Sequence, residues 1–264
     1  MDVAVGALTD VGRVRSHNED AYFTGEQIWA VADGMGGQAA GEVASSIVVD
    51  HLRAADAAGV LTADDLSPLI AAINQAILDY AEADPTAAGL GSTVAGIASI
   101  AVDEVAHWSV FNVGDSRVYR FADGQLVSQT KDHNEVTELI DAGQLDPADA
   151  ADHPSRFVLT RALGSNPAPR ADIRLLPQGG DETFLICSDG LTSEVADEAI
   201  ETVLATCPEP KQAVERLIDL ALMHGAQDNV TAVVLAVHQH DDDARLNDQS
   251  AETTIPRPDI EELS

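Results

Sequence analysis

Two hydrophobic periods alternate along the chain. Ala40, Val43, Ala44, Ile47, Val48 and Leu52 recur at spacings of three and four, which places them on one face of a helix. The same spacing returns at Leu66, Leu69, Ile70, Ile73, Ile77 and Tyr80, and again at Val214, Leu217, Ile218, Ala221 and Leu222. It predicts two further amphipathic helices with their stripes toward a core. Other stretches are apolar without that period. "IWAVAD", ending at Asp33, reads as a strand that feeds the first helix through a glycine loop. "ETFLICS" (182–188) and "NVTAVVLAVHQ" after Asp228 read as buried strands. Between Ser92 and Gln129 the runs "STVAGIASIAV", "VAHWSVFNVG", "RVYRFA" and "QLVSQ" are short, β-rich and closed by turn residues, as in an antiparallel meander. Strand pairs close in sequence, interrupted by helices, fit an α+β layered domain better than a doubly wound parallel sheet. Lys131 to Arg170, polar with short helical pieces, is expected outside the sheets as a flap. No internal repeat occurs.

The C-terminal stretch 240–264 has few apolar residues and a run of acids, too little to repay ordering, and is expected to be a disordered acidic tail behind a folded domain of residues 1–239. The formal net charge is −31 over 264 residues. Eight acids and two arginines from Asp241 onward account for −6 of it, so the first 240 residues carry −25. Such a surface opposes nucleic acid and anionic membrane as partners. No apolar stretch approaches the roughly 20 residues that span a bilayer, and no basic residue precedes Arg13, so the expected location is the cytoplasm. Cys187 and Cys207 are too few for a disulfide framework and read as core thiols.

Charge of another kind gathers at the margins of the apolar runs. Asp20 follows "RSHNE", Asp33 ends "IWAVAD", Asp115 ends "SVFNVGD", Asp189 ends "FLICSD" and Asp228 precedes "NVTAVVLAV". Each alone is accounted for as a turn former, helix cap or solvated loop acid. Asp123-Gly124, between two strand-like runs, needs nothing more than a type I′ hairpin turn. Asp33-Gly34 differs because a helix follows it. Carboxylates at buried margins face desolvation and mutual repulsion, and 14 basic residues cannot pair 45 acids. A hard dication such as Mg²⁺ or Mn²⁺, bound by carboxylates and the Gly34 carbonyl, would relieve both. Arg15 supplies a planar fork suited to phosphate.

The blocks "RSHNEDA" (15–21), "VADGMGG" (31–37), "GSTV" (91–94), "NVGDSRVY" (112–119), "KDH" (131–133), "LTRALG" (159–164), "CSDGLT" (187–192) and "QDNVT" (227–231) occur in one order. In that order they resemble the metal-dependent serine/threonine phosphatases of type 2C, particularly bacterial members, over most of residues 5–238. The resemblance implies a four-layer α-β-β-α sandwich of two antiparallel sheets flanked by helices, so that residues 1–239 form a catalytic domain. It implies a binuclear Mn²⁺/Mg²⁺ centre in which Asp33, Asp189 and Asp228 hold the first ion and Asp33 with the Gly34 carbonyl holds the second. It further implies Glu19 and Asp20 as partners of metal-bound water, Arg15 as the phosphate clamp, and Asp115 with Asp189 around a weaker third ion. The implied reaction is hydrolysis of phosphoserine and phosphothreonine by direct attack of a metal-bridging water, reversing bacterial Ser/Thr kinases. Some relatives carry His directly after the Asp-Gly; Met35 stands there, so that imidazole is not the general acid. His133 and His153 read as structural histidines.

Other chemistries lack their signatures. A cysteine phosphatase needs Arg six residues after its nucleophile, and position 193 is Ser; no Gly-x-Ser-x-Gly elbow occurs. The carboxylates alone would also allow a two-metal phosphohydrolase acting on nucleotides or small esters. A phosphoprotein-binding pseudophosphatase and an EF-hand-type calcium module are the non-enzymatic alternatives, and the EF-hand loop is missing. Expected partners are phosphorylated proteins, including Ser/Thr kinases, with phosphosites next to basic residues favoured by the acidic surface. Thr253 and Thr254 in "ETTIP" are a candidate ligand for a phosphothreonine-reading domain. The chain is read as a monomer.

Overall fold

The computed structural model describes residues 2–36, 40–59, 61–87, 89–103 and 105–238. In chain order the elements are β1 (Asp2–Asp10), β2 (Asp20–Thr24), β3 (Ile28–Met35), α1 (Ala40–Ala57), α2 (Ala63–Ala83), β4 (Gly91–Ser92), β5 (Val94–Val102), β6 (Val105–Val113), β7 (Arg117–Ala122) and β8 (Gln125–Ser128). They continue with α3 (Glu135–Asp141), β9 (Asp172–Pro177), β10 (Glu182–Cys187), α4 (Asp189–Thr192), α5 (Asp197–Thr206), α6 (Pro210–His224) and β11 (Val230–His238). The strands form two antiparallel sheets, ordered β1-β11-β10-β7-β8 and β2-β3-β5-β6-β9, with β4 against the end of β3. Helices α1 and α2 cover the second sheet, and α5 and α6 cover the first. This is the expected α-β-β-α sandwich.

The four layers explain why the central strands lack alternation. On β3, Trp29 and Val31 enter the core between the sheets, while Ile28, Ala30 and Ala32 pack under the helices. On β10, Phe184 and Ile186 face the inter-sheet core, and Leu185 and Cys187 face the other helical layer. A strand covered on both sides has no polar face to show. Trp108 sits at the inter-sheet centre with Trp29 and Phe184 edge-on at 6.0 and 5.5 Å. Its N–H donates to Glu182 Oε1 at 2.7 Å, and the buried Glu182 carboxylate is held on its other oxygen by Arg120. Emptying a site of this kind costs about 3–5 kcal/mol.

Local chemistry sets the ends of the helices. Thr62 and Asp65 form a reciprocal capping box at the start of α2. α6 opens on Pro210 and closes on Gly225 at φ 132°, a conformation that favours glycine. The apolar stripes fall on α1, α2 and α6 as expected, except that Tyr80 is 38% exposed at the far end of α2. The run from Ser92 is two strands, because Thr93 leaves the ladder to bond Asp33, with its N–H on the Asp33 carbonyl at 2.8 Å. β3 continues past Asp33 through Met35, paired with Gly91 and Ser92, so Asp33 lies within the strand instead of ending it. β1 and α5 are elements the hydrophobic pattern left unassigned.

Between β8 and β9 the chain leaves both sheets, carries α3, closes on itself through the isolated bridge Asn134–Leu159 and is tied back by Ser92–Leu163, as the flap reading anticipates. Residues 239–264, with Thr253, Thr254 and the tail, lie outside the described residues. No helix among the described residues is long and apolar enough to cross a membrane.

Candidate functional site

The ends of both sheets deliver the carboxylates to one edge of the sandwich. Asp20 opens β2 directly opposite Asp33 on β3. Asp115 follows β6, Asp189 follows β10 at the start of α4, and Asp228 precedes β11. Asp33, Asp115, Asp189 and Asp228 line one cavity of about 470 Å³ together with Arg15 and Met35. Asp20 is buried behind them, close enough that its charge adds to burial in making Asp33 a weaker acid.

Small polar side chains fix this arrangement. Asp20 accepts from the hydroxyls of Ser188 and Thr231, both at 2.7 Å, which ties the two sheets together. Thr93 Oγ1 accepts from the Asp33 N–H at 3.0 Å and meets Ser116 Oγ at 2.8 Å. Asn229 Oδ1 accepts from the Glu19 N–H, and its amide donates to the carbonyls of Val11 and His17. Glu19 therefore sits at a fixed point, with its carboxylate against Gly41 at the start of α1. The Gly34 carbonyl also faces Gly41: a Cβ at position 41 would stand 2.7 Å from that oxygen. Gly34 and Gly190 are required by close approach, since a Cβ at either would lie 2.0 Å from the carbonyl oxygen of Gly41 or Asn229.

Cationic compensation is sparse. Arg15 Nη2 donates to Asp228 Oδ2 at 2.7 Å, and both side chains are partly exposed. Burial, followed by repulsion from Asp189 and Asp228, lifts Asp20 to about 7 despite its two hydroxyl donors. Burial and then the Asp189 charge lift Asp115 to about 8, and burial with the Asp228 charge lifts Asp189 to about 6. Asp33 is pushed well above the carboxylate range by burial and then by Asp20, Asp189, Asp115 and Asp228. Buried acids in this state bind a proton or a cation.

The donor set fits a hard dication: it is all oxygen, under-neutralised, and open to a cavity that leaves room for retained water. Among the described residues no three His, Cys, Asp or Glu side chains are already drawn together tightly enough to hold one ion. The carboxylates thus share an edge without forming a closed cage, and Arg15 presently occupies an oxygen of Asp228.

The flap supplies residues the sequence pattern did not single out. Arg156 and Phe157 line this cavity and an adjoining one of about 400 Å³ that also reaches Asp115, Arg117 and Asp132. The Arg156 guanidinium lies 4.4 Å from the centroid of the Phe157 ring. Only its position in a polar segment marked it. No histidine among the described residues lines either cavity. His133 is structural: its N–H donates to the Gly114 carbonyl at 2.9 Å, its Nδ1 accepts from the Gly114 N–H at 3.1 Å, and burial lowers its basicity. Those bonds hold the turn that carries Asp115. His153 Nδ1 accepts from the Ser155 N–H within the flap. Cys187 is buried, with its thiol pushed up to about 12, which suits packing and not nucleophilic attack.

Residues 12–231 match the family described as protein phosphatase 2C. The chain is 40% identical over 239 residues to the serine/threonine protein phosphatase PstP of Mycobacterium tuberculosis, covering 89% of this chain and 45% of that one. It therefore spans just under half the length of that relative. It is 36% identical over 238 residues to the serine/threonine phosphatase stp of Listeria monocytogenes, covering 86% of this chain and 93% of that one. The crystal structure of the PstP catalytic domain in complex with two manganese ions superimposes with a TM-score of 0.80 at 37% identity, covering 90% of this chain and 99% of that chain.

Proposed function

The chain belongs to the protein phosphatase 2C family, and from that premise we propose that it hydrolyses phosphoserine and phosphothreonine in proteins with the help of bound Mn²⁺ or Mg²⁺. The observation that carries this reading is the convergence of Asp33, Asp115, Asp189 and Asp228 on one cavity, with Asp20 buried behind and Arg15 at the rim. Asp33, Asp189 and Asp228 would hold one ion, and Asp33 with the Gly34 carbonyl a second. Asp115 and Asp189 would hold a weaker third. What such ions supply when bound is a water ionised near neutral pH and neutralisation of charge on the phosphoryl group.

The chain's own residues do the rest. Arg15 exchanges its bond to Asp228 for the phosphoryl oxygens, which its planar fork can grip by two N–H groups at once. Asp20, anchored by Ser188 and Thr231 behind the cavity, and Glu19, anchored through Asn229, would orient the attacking water. Arg156 and Phe157 close the cavity from the flap and narrow access of bulk water. Because Met35 stands at the cavity and no histidine among the described residues lines it, the leaving alkoxide takes its proton from solvent or a carboxyl.

Substrates are phosphoproteins, Ser/Thr kinases among them, and acids around the cavity favour basic neighbours at the phosphosite. The protein acts as a cytoplasmic monomer. Phosphate release from a phosphothreonine peptide tests the reading. It should require Mn²⁺ or Mg²⁺, stop with chelator and return on re-addition. Turnover confined to nucleotides or small esters would favour a different two-metal hydrolase, and turnover indifferent to metal would overturn the reading.

A further inference from the structure

The flap leaves the sandwich through residues 128–131 and returns through residues 170–174, and these two stems enclose a groove of about 430 Å³. Lys131, Arg170 and Arg174 line it together with Asp172, and Arg161 stands beside it, bonded to the Arg170 carbonyl and to the Asp172 carboxylate. Four of the 14 basic residues of a chain with net charge −31 are thus gathered at one place. Lys131 pairs with Asp141 and Arg161 with Asp172, but Arg170 and Arg174 are exposed and have no carboxylate partner among the described residues. β9, which carries Arg174, pairs with β6 at the end of its sheet, and Val110 and Asn112 of β6, opposite Arg174 and Asp172, form the floor of the groove. Leu175 and Val127 are exposed nearby, at 43% and 51%. A single segment separates this groove from the catalytic edge, since Lys131 lines the groove and Asp132 and Asn134 line the cavity that reaches Asp115 and Asp189.

We propose that this groove docks an acidic segment of the phosphoprotein substrate, with its carboxylates against Arg170 and Arg174. The proposal rests on the phosphatase reading for the identity of its occupant. The positive charges of the two guanidinium groups, unpaired within the described residues, select acids over bases. The rest of the surface repels acidic chains, so the groove decides where such a segment lands. Recognition is then divided: basic residues next to the phosphosite meet the carboxylate-rich cavity, and an acidic stretch farther along meets the flap stems.

The probe is a fluorescein-labelled, unphosphorylated 12-residue peptide containing six glutamates, titrated by anisotropy with the Mn²⁺-loaded chain at low salt. Its Kd should rise at least fivefold in Arg170→Gln/Arg174→Gln. It should stay within twofold of the parent in Arg170→Lys/Arg174→Lys and in Arg216→Gln, a change at another exposed arginine on α6. Absence of binding, equal affinity in the glutamine pair, or equal weakening by Arg216→Gln would overturn the proposal. So would a dimer in sedimentation that disappears in the glutamine pair, because a second copy would then be the occupant. Binding is read without turnover, so it decides the groove even if hydrolysis of p-nitrophenyl phosphate, measured on the parent chain in the same buffer, refutes the phosphatase reading.

Discussion

The sequence contains Asp-Gly at 33–34 and at 123–124, and the two pairs do opposite things. Asp123 and Gly124 both have positive φ, 53° and 75°, and turn the chain between β7 and β8 at the surface, where a Cβ on Gly124 would meet nothing within 4 Å. Asp33 and Gly34 lie in a strand; Gly34 is pressed to 2.0 Å, in Cβ terms, from the Gly41 carbonyl, and the Asp33 carboxyl faces four other aspartates. The same dipeptide spends its glycine on backbone conformation in one place and on backbone proximity in the other. What distinguishes them in advance is the company: a hairpin continues after Asp123, whereas a buried strand surrounds Asp33 and a helix follows.

The sharpest way to break the comparison is to neutralise each acid. Asp33→Asn or Asp189→Asn should lower phosphothreonine turnover by about 100-fold or more, a loss near 2.7 kcal/mol of transition-state stabilisation. Asp123→Asn should leave it within twofold. Filling the glycines comes next. Gly34→Ala forces a methyl group into backbone and should cost about 1–3 kcal/mol by denaturant unfolding. Gly124→Ala has open space but a left-handed backbone, and should cost about 1–2 kcal/mol.

The smallest effect separates the buried cluster from the surface by pH. Asp189, Asp20 and Asp115 are lifted by burial to about 6, 7 and 8, so the folded chain holds protons that the unfolded chain has already released. The contribution of these three acids to the stability of the metal-free chain is therefore full at low pH and falls as pH rises from about 4 to 8. Melting in chelator should show a lower Tm at pH 8 than at pH 5, a smaller difference in Asp115→Asn, and an unchanged one in Asp123→Asn. Mn²⁺ should raise Tm more at pH 8 than at pH 5, because fewer protons then compete with it.

Much of this was legible along the chain. The layered α+β fold follows from three helical stripes and several apolar runs, and the acids stand out because carboxylates are costly at the ends of such runs. What holds the acids was not legible. Thr93, Ser116, Ser188, Thr231 and Asn229 bond between segments distant in sequence, as between Ser188 and Asp20, and no periodicity marks a hydroxyl whose partner is 168 residues away. Arg156 escaped for a related reason, since its place at the cavity depends on how the flap folds back. The turn reading of Asp123-Gly124 held because two residues of local chemistry settle it, whereas the end of β3 was misplaced by two residues because its pairing partner, β4, is distant in sequence.

Calorimetric titration of the metal-free chain with Mn²⁺ tests most directly whether the buried aspartates are there to hold cations. The account predicts at least two ions bound per chain, loss of both high-affinity events in Asp33→Asn, and no change in Asp123→Asn. Equal stoichiometry and affinity in the parent chain and Asp33→Asn would contradict it.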